Sequence, residues 1–188
     1  MANDVTRILQ AMNNGESLSA EHLLPLVYDE LRRLAGKRMS HEGVDHTLQP
    51  TALVHEAYMR LVRDADSNWE NRGHFYAAAA EAMRRILIEA ARRKASLKRG
   101  GSYQRVEFDE GIPDGNSNSP NSLLALDAAL EKLEIEDSDS YKLVMLRYFG
   151  GLTVEESAAA LGVSPRTAKR NWAFARAWLQ KEIVNFDR

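Results

Sequence analysis

Four polar residues near the C-terminus have the types and spacing of a helix that reads DNA. They follow Ser164-Pro165, a pair that can cap and begin a helix. Guanidinium, ammonium and hydroxyl groups on the first turns of a helix can bind base edges and phosphates in the major groove. DNA is therefore the first ligand that the sequence suggests, and the alternative is a solvated hairpin whose basic residues only face water. The four residues are Arg166, Thr167, Lys169 and Arg170.

The histidines raise a second hypothesis, a metal-dependent hydrolase. His55-Glu56 is not followed by a second histidine at helical spacing, so the zinc-protease arrangement is missing. The chain has no cysteine, which excludes thiolate ligands, disulfides and cysteine nucleophiles. A phosphate-binding glycine loop and a Gly-x-Ser-x-Gly nucleophile motif are also missing. We therefore predict no catalytic residue, no metal and no cofactor. The histidines are His22, His41, His46, His55 and His74.

The basic residues at 166–170 belong to a predicted helix-turn-helix unit. Thr153 and Glu156 have the spacing of a capping box that begins its first helix. Gly162 is expected to end that helix in a left-handed conformation, only a few residues before the second helix begins. Two helices joined by so short a turn have helix-turn-helix geometry. The positions expected between the two helices are Val154, Ala158, Leu161, Val163, Ala168 and Trp172.

The rest of the chain shows helical periodicity and no strand alternation. Residues 40–48 and the segment around Trp69 lack periodicity and are predicted to be loops. A helix that begins after Asp137 is expected to continue to Phe149 and to stop at Gly150-Gly151. An all-α fold is therefore predicted. The other predicted helices cover residues 3–12, 19–39, 50–62, 72–94 and 123–133.

Residues 96–120 interrupt the helical pattern. This segment is rich in glycine, serine and proline and poor in apolar residues, as is typical of a linker. The sequence therefore predicts two small helical domains, residues 1–95 and 121–188, joined by a flexible linker.

Charge is segregated along the chain although the net charge is only −2. Residues 82–105 contain eight basic residues and one acidic residue, whereas residues 107–140 contain ten acidic residues and one basic residue. From residue 164 onward, six basic residues stand against two acidic residues. Two basic segments separated by an acidic one favour a protein that touches a polyanion at two places.

Membrane and secretion signals are not evident in the sequence. No run of about 18 apolar residues is available for a membrane span, and the segment MANDVTRILQ lacks the apolar region of a secretory signal. We expect a cytoplasmic protein without a membrane partner.

Three segments together resemble the extracytoplasmic-function (ECF) group of bacterial RNA polymerase sigma factors, within the sigma-70 family. They are LQPTALVHEAYMRLV, NWENRGHFYAAAAEAMRRILIEAARRK and GLTVEESAAALGVSPRTAKRNWAFARAWL. The resemblance extends over nearly the whole chain. It implies a sigma-2-like domain, a sigma-4-like helix-turn-helix domain, and a factor that binds core polymerase and directs promoter-specific initiation. A stand-alone helix-turn-helix regulator is the alternative hypothesis.

The resemblance also implies roles for individual residues. Lys169 and Arg170 would meet the major groove of the promoter −35 element, with Arg166 and Thr167 at the helix start and Arg176 placed for phosphate. Recognition and melting of the −10 element would involve Asn68, Trp69, Asn71, Arg72, Arg84, Arg85 and Arg92. Binding to the coiled coil of the largest polymerase subunit would involve Leu53, His55, Glu56, Met59 and Arg60.

Partners and departures follow from the same resemblance. It implies core RNA polymerase, including its flap, and promoter DNA as partners, and it raises an anti-sigma factor as a further partner.

Ala173 and Phe174 stand where several members have an arginine or another large contact residue. Ser157 stands where these domains usually bury isoleucine or leucine, and the volume of Trp172 is expected to compensate.

Overall fold

The computed structural model describes residues 28, 29, 31–33, 35, 36, 49–63, 72–97 and 120–186. Within these residues all regular structure is helical, which confirms the predicted all-α class. The predicted helix at 3–12, the loop at 40–48, the loop around Trp69 and most of the linker lie outside the described residues. The helices are α1 (Pro50–Arg63), α2 (Arg72–Leu97), α3 (Pro120–Glu136), α4 (Ser138–Val144), a π-helical turn (Met145–Phe149), α5 (Val154–Leu161) and α6 (Pro165–Phe186).

Helix α1 is amphipathic and packs on α2. On its apolar side Leu53, Val54, Ala57 and Leu61 are buried, as their spacing predicts, and Tyr58 is half-buried. The opposite side carries polar residues such as His55, which is exposed. Leu31 and Ala35, from the described helical residues before α1, complete this part of the core.

Helix α2 is the central helix of the described structure. Of the positions that helical spacing predicts to be buried, all are buried except Ala90, which is half-buried; they are Phe75, Ala79, Ala82, Met83, Ile86, Leu87 and Ala90. The predicted set was incomplete, because Tyr76, Ala80, Ile88 and Ala91 are buried as well. The reason is that α2 contacts α1 together with α3, the π-helical turn and α5, so apolar neighbours cover it on several sides.

The C-terminal helices form a compact group in which α6 packs against α3, α4 and α5. Leu126, Leu130 and Leu133 of α3 are fully buried, as predicted from their spacing. Asp137 caps α4 by accepting hydrogen bonds from the backbone N–H groups of Asp139 and Ser140. The helix-turn-helix formed by α5 and α6 is therefore packed against α3 and α4.

The predicted helix from Asp137 to Phe149 is present, but its change of hydrogen bonding was not predicted. The helix changes at Met145 into a π-helical turn, in which the N–H of Gly150 donates to the carbonyl of Met145 at 3.0 Å. A Cβ on residue 150 would lie 2.6 Å from the carbonyl oxygen of Leu146, so only glycine fits there. Gly151 has a φ of 64°, a left-handed conformation that favours glycine and turns the chain toward α5. Tyr148 and Phe149, 4.9 Å apart between ring centroids, are buried on this turn.

Helices from both sides of residues 98–119 share a continuous apolar core. The division into two domains with a linker stays a prediction, and in this structure the predicted domains pack against each other through α2. Among the described helices, none combines the length and apolar character needed to span a membrane.

Candidate nucleic-acid interface

The turn before α6 has the predicted helix-turn-helix geometry. The Thr153 hydroxyl accepts the N–H of Glu156 at 3.1 Å, and the Glu156 carboxylate accepts the N–H of Thr153 at 2.8 Å. Gly162 ends α5 with a φ of 68°. Ser164 caps α6, because its hydroxyl accepts the N–H of Thr167 at 3.1 Å. Both capping arrangements were predicted, and they fix the direction in which α6 begins.

The first turns of α6 present basic side chains to solvent. Arg166, Lys169 and Arg170 are exposed, whereas Thr167 is half-buried and its hydroxyl lies 2.9 Å from that of Ser164. Lys169 Nζ lies 3.4 Å from a carboxylate oxygen of Glu155 on α5. Arg176, farther along α6, is half-buried. The structure therefore brings Arg166, Lys169 and Arg170 together on one accessible surface, where guanidinium and ammonium groups can bind phosphates and base edges.

Arg147 of the π-helical turn packs against Trp172 of α6. The sequence did not predict this contact. The guanidinium carbon of Arg147 lies 3.9 Å from the centroid of the Trp172 ring, a cation–π contact between the π-helical turn and α6. Burial lowers the pKa of Arg147, with the charge of Arg176 acting in the same direction and Glu155 opposing them. No local pattern marks this contact, because it depends on the π-helical turn that the sequence did not predict.

The core between α5 and α6 agrees with the prediction. Ala158, Ala168 and Trp172 are buried, and Val154, Leu161 and Val163 are half-buried against them. Ser157 is fully buried and its hydroxyl has no hydrogen-bond partner among the described residues. The compensation for this small side chain by the volume of Trp172 stays a prediction.

The three arginines of α2 that the resemblance places at the −10 element occupy different environments. Arg85 and Arg92 each have 65% of the side chain exposed. Arg84 is buried, and its Nε donates to Asp127 Oδ1 at 2.8 Å. Its NH1 group donates to the Tyr141 hydroxyl at 3.0 Å. In this arrangement Arg84 is covered by Asp127, and its assignment to the −10 element stays a prediction.

The contacts of Arg84 with Asp127 and Tyr141 go together with shifted pKa values. Burial alone would lower the pKa of Arg84, but the hydrogen bond and the charge of Asp127 outweigh burial and raise it. Burial raises the pKa of Tyr141 to about 12, so its hydroxyl stays protonated at neutral pH. Sequence reasoning did not find Asp127 or Tyr141, because both lie far along the chain from Arg84.

The other residues predicted for the −10 element are not described in full. Asn68, Trp69 and Asn71 lie outside the described residues. Arg72 begins α2, and only its backbone is described.

The predicted polymerase-binding residues lie on α1. His55 and Met59 are exposed, and Met59 has 40% of its surface accessible. Arg60 is half-buried and forms ion pairs with Glu56 at 3.2 Å and with Glu89 of α2 at 2.8 Å. The hydrogen bond from Arg60 lowers the pKa of Glu89 despite a small opposing effect of burial. Leu53 is fully buried in the core of the described residues, and its assignment to the polymerase-binding surface stays a prediction.

The described residues hold no group of three or more histidine and acidic side chains that could bind a metal ion. His55 and His74 are both exposed, and the other three histidines lie outside the described residues.

Comparison with known proteins identifies the class. A family model described as ECF sigma factor matches residues 2–185. No curated protein and no solved structure matches the chain. The helices of the described residues, with a capped helix-turn-helix and an exposed basic surface on α6, fit this class, and the chain belongs to the ECF sigma factor family.

Membership in the ECF sigma factor family indicates the general function of the chain. ECF sigma factors are non-enzymatic DNA-binding transcription factors with a role in transcription initiation. Core RNA polymerase and promoter DNA are the partners that the family implies. The family match favours a sigma factor over a stand-alone regulator.

Proposed function

We propose that this chain binds core RNA polymerase in the cytoplasm and directs it to promoters with a −35 and a −10 element. The observation that carries the proposal is the exposed basic surface of Arg166, Lys169 and Arg170 on a helix whose start is fixed by capping. Such a helix places its first turns in the major groove, and Thr167 and Arg176 are assigned to the same element. The free chain supplies no catalysis, because the polymerase performs the chemistry.

The polymerase-binding surface is proposed to be the exposed side of α1. His55, Glu56, Met59 and Arg60 are accessible or partly accessible there. An exposed methionine beside polar and charged side chains is typical of a protein interface. The partner is the coiled coil of the largest subunit, and the flap of the polymerase is the second contact.

The −10 element is assigned to the segment around Asn68, Trp69 and Asn71 and to the arginines of α2. Aromatic side chains can stack on unpaired bases, and arginines can hold the strand through its phosphates. Each captured base favours the melted promoter by about 1 to 3 kcal/mol, so opening is driven by differential binding.

The double substitution Lys169→Ala with Arg170→Ala tests the proposal. Base and phosphate contacts contribute about 1 to 3 kcal/mol each, so we expect promoter-specific transcription to fall at least tenfold. Binding to core polymerase should stay unchanged, because these residues are not on α1. The measurements are in vitro transcription from promoters selected out of random DNA and a direct core-binding assay.

A matched control removes the same number of positive charges elsewhere in the C-terminal helices. Lys142→Ala with Lys181→Ala affects two exposed lysines outside the first turns of α6. This variant should retain at least half of the wild-type transcription. Loss of core binding in the Lys169, Arg170 variant, or an equal loss of transcription in the control, contradicts the assignment.

A further inference from the structure

One carboxylate holds two arginines of α2 at once. Asp127 Oδ1 accepts hydrogen bonds from Arg84, and Asp127 Oδ2 lies 3.6 Å from the guanidinium of Arg92. Arg84 and Arg92 lie eight positions, about two helical turns, apart on α2, and their long side chains converge on Asp127. Two anionic oxygens between guanidinium groups are also what a DNA phosphate would provide.

Both side chains of the contact between Arg84 and Asp127 are buried. The side chains of Arg84 and Asp127 are each only 10% exposed. Removing both ions from water is costly, and excellent geometry with further hydrogen bonds must compensate for it. The Tyr141 hydroxyl supplies one such bond to Arg84, and Glu81 lies 3.6 Å from the same guanidinium. Arg84 is therefore held by a specific set of partners, most of them from beyond residue 119.

A second, weaker contact crosses the same boundary. Arg33 lies 3.6 Å from Glu156 of α5. Both side chains are more than one third exposed, so this pair adds little stability. It nevertheless joins the N-terminal part of the chain to the helix-turn-helix, in the same closed arrangement.

The two parts do not pack tightly along the whole of α2. A cavity of about 1210 Å³ lies between the first turns of α2, near His74 and Ala77, and the C-terminal helices, near Tyr141 and Met145. Interfaces between domains of one chain are commonly incomplete and allow relative motion. About twenty residues connect α2 to α3, a length that can extend to roughly 70 Å. The covalent connection therefore permits the parts to separate.

We propose that Asp127 is an internal substitute for a DNA phosphate, which closes the free protein by covering Arg84 and pairing with the exposed Arg92. Single-stranded promoter DNA must displace Asp127 before it can bind Arg84. This inference relies on the proposed function for the assignment of DNA to α2. The assignment of −35 DNA to α6 is independent of it, because Arg166, Lys169 and Arg170 are exposed in the closed form.

The absence of cysteine from the chain allows a direct distance measurement. Thr51→Cys on α1 and Gln180→Cys on α6 are exposed positions for spin labels. The labelled full-length protein should give a single short distance in double electron–electron resonance. Asp127→Lys places a positive charge against Arg84 and Arg92, so we expect longer and broader distances. The same variant should bind a mixed-sequence single-stranded oligonucleotide at least tenfold more tightly than the wild type, without polymerase.

Glu182→Lys is the matched control. It changes the net charge by the same amount, and it removes an ion pair of 2.9 Å with Lys132 inside the C-terminal helices. We expect no change in distance and only the small gain in DNA affinity that the added charge produces. Asp127→Asn and Tyr141→Phe weaken the closing contact with little change in shape, so they give the same test if Asp127→Lys does not fold by circular dichroism. Both should shift the distances in the direction of opening.

Two results overturn the proposal. The first is a distance distribution in the folded Asp127 variants that matches the wild type. The second is an open distribution with no gain in DNA binding beyond that of Glu182→Lys. The distance measurement needs no promoter, whereas the proposed function is judged by transcription with wild-type holoenzyme. If transcription fails, the distance measurement still tests whether Asp127 closes the free protein.

Discussion

Asp137 is a single residue on which the first turn of α4 depends. Its carboxylate accepts the N–H groups of Asp139 and Ser140 at 3.1 Å and the Ser140 hydroxyl at 2.7 Å. Asp137→Ala removes all three hydrogen bonds, and we expect the free energy of unfolding to fall by about 1 to 2 kcal/mol. Urea unfolding at pH 7 measures the loss. The exposed Glu131→Ala is the control and should change stability by less than about 0.5 kcal/mol.

The same residue gives a dependence on pH. Burial raises the pKa of Asp137, but the hydrogen bonds from Ser140 and Asp139 outweigh burial and lower it below 3.8. Because the pKa is lower in the folded state, the charged form stabilises the fold above about pH 4. That contribution is lost as the pH falls through the lowered pKa. The stability difference between wild type and Asp137→Ala should therefore shrink below pH 4, and a constant difference would contradict this explanation.

At the scale of residues, the sequence identified the side chains whose role depends on near neighbours. Thr153, Gly162 and Ser164 act within a few positions of their partners, so their types and spacing were sufficient. Arg84 was assigned to an open surface because its partner Asp127 lies 43 positions away. Leu53 was assigned to an interface because the helical pattern does not show which apolar residues the rest of the chain covers.

At the scale of elements, the π-helical turn depends on Gly150. A methyl group at residue 150 would meet the carbonyl of Leu146, which is backbone and cannot move aside easily. We expect Gly150→Ala to lower the free energy of unfolding by about 1 to 3 kcal/mol. Thermal or urea unfolding measures the effect.

Gly36→Ala is the control for that substitution. Residue 36 is helical and exposed, and a Cβ there meets nothing within 4 Å. Alanine is the better helix former, so this variant should be more stable by about 0.5 to 1 kcal/mol. If both variants are stabilised, the close contact at Gly150 does not constrain the π-helical turn.

The elements themselves were largely predictable. Helical spacing found α1, α2, α3, α5 and α6, because one side of each helix is apolar over several turns. The π-helical turn was not predicted, since a shift of hydrogen bonding by one residue leaves no change in the hydrophobic pattern. Gly150-Gly151 indicated only that a helix ends there, which is correct but incomplete.

At the scale of the whole molecule, the continuous core predicts cooperative unfolding. Leu53 and Met83 belong to the same buried cluster as Leu126 and Phe149, which come from the other side of residues 98–119. We expect one calorimetric transition, with the van't Hoff enthalpy equal to the calorimetric enthalpy. Two separate transitions would show that the predicted domains unfold independently.

The arrangement of the helices as a whole could not be read from the sequence. Charge segregation indicated two basic segments and an acidic one, and it is consistent with the attraction between α2 and α3. It did not reveal which acid meets which arginine, because that pairing depends on packing between distant segments. The sequence was therefore informative about the helices and the helix-turn-helix, and uninformative about the closed arrangement.

The ion pair between Lys169 and Glu155 affects how strictly the reading helix selects its position. Lys169 is 65% exposed and Glu155 is 62% exposed, so little is lost when the lysine exchanges the carboxylate for a phosphate. In the proposed complex with DNA, Glu155 would remain beside Lys169 after the exchange. A duplex out of register would bring its backbone against that negative charge, so misaligned binding would be repelled where correct binding is attracted.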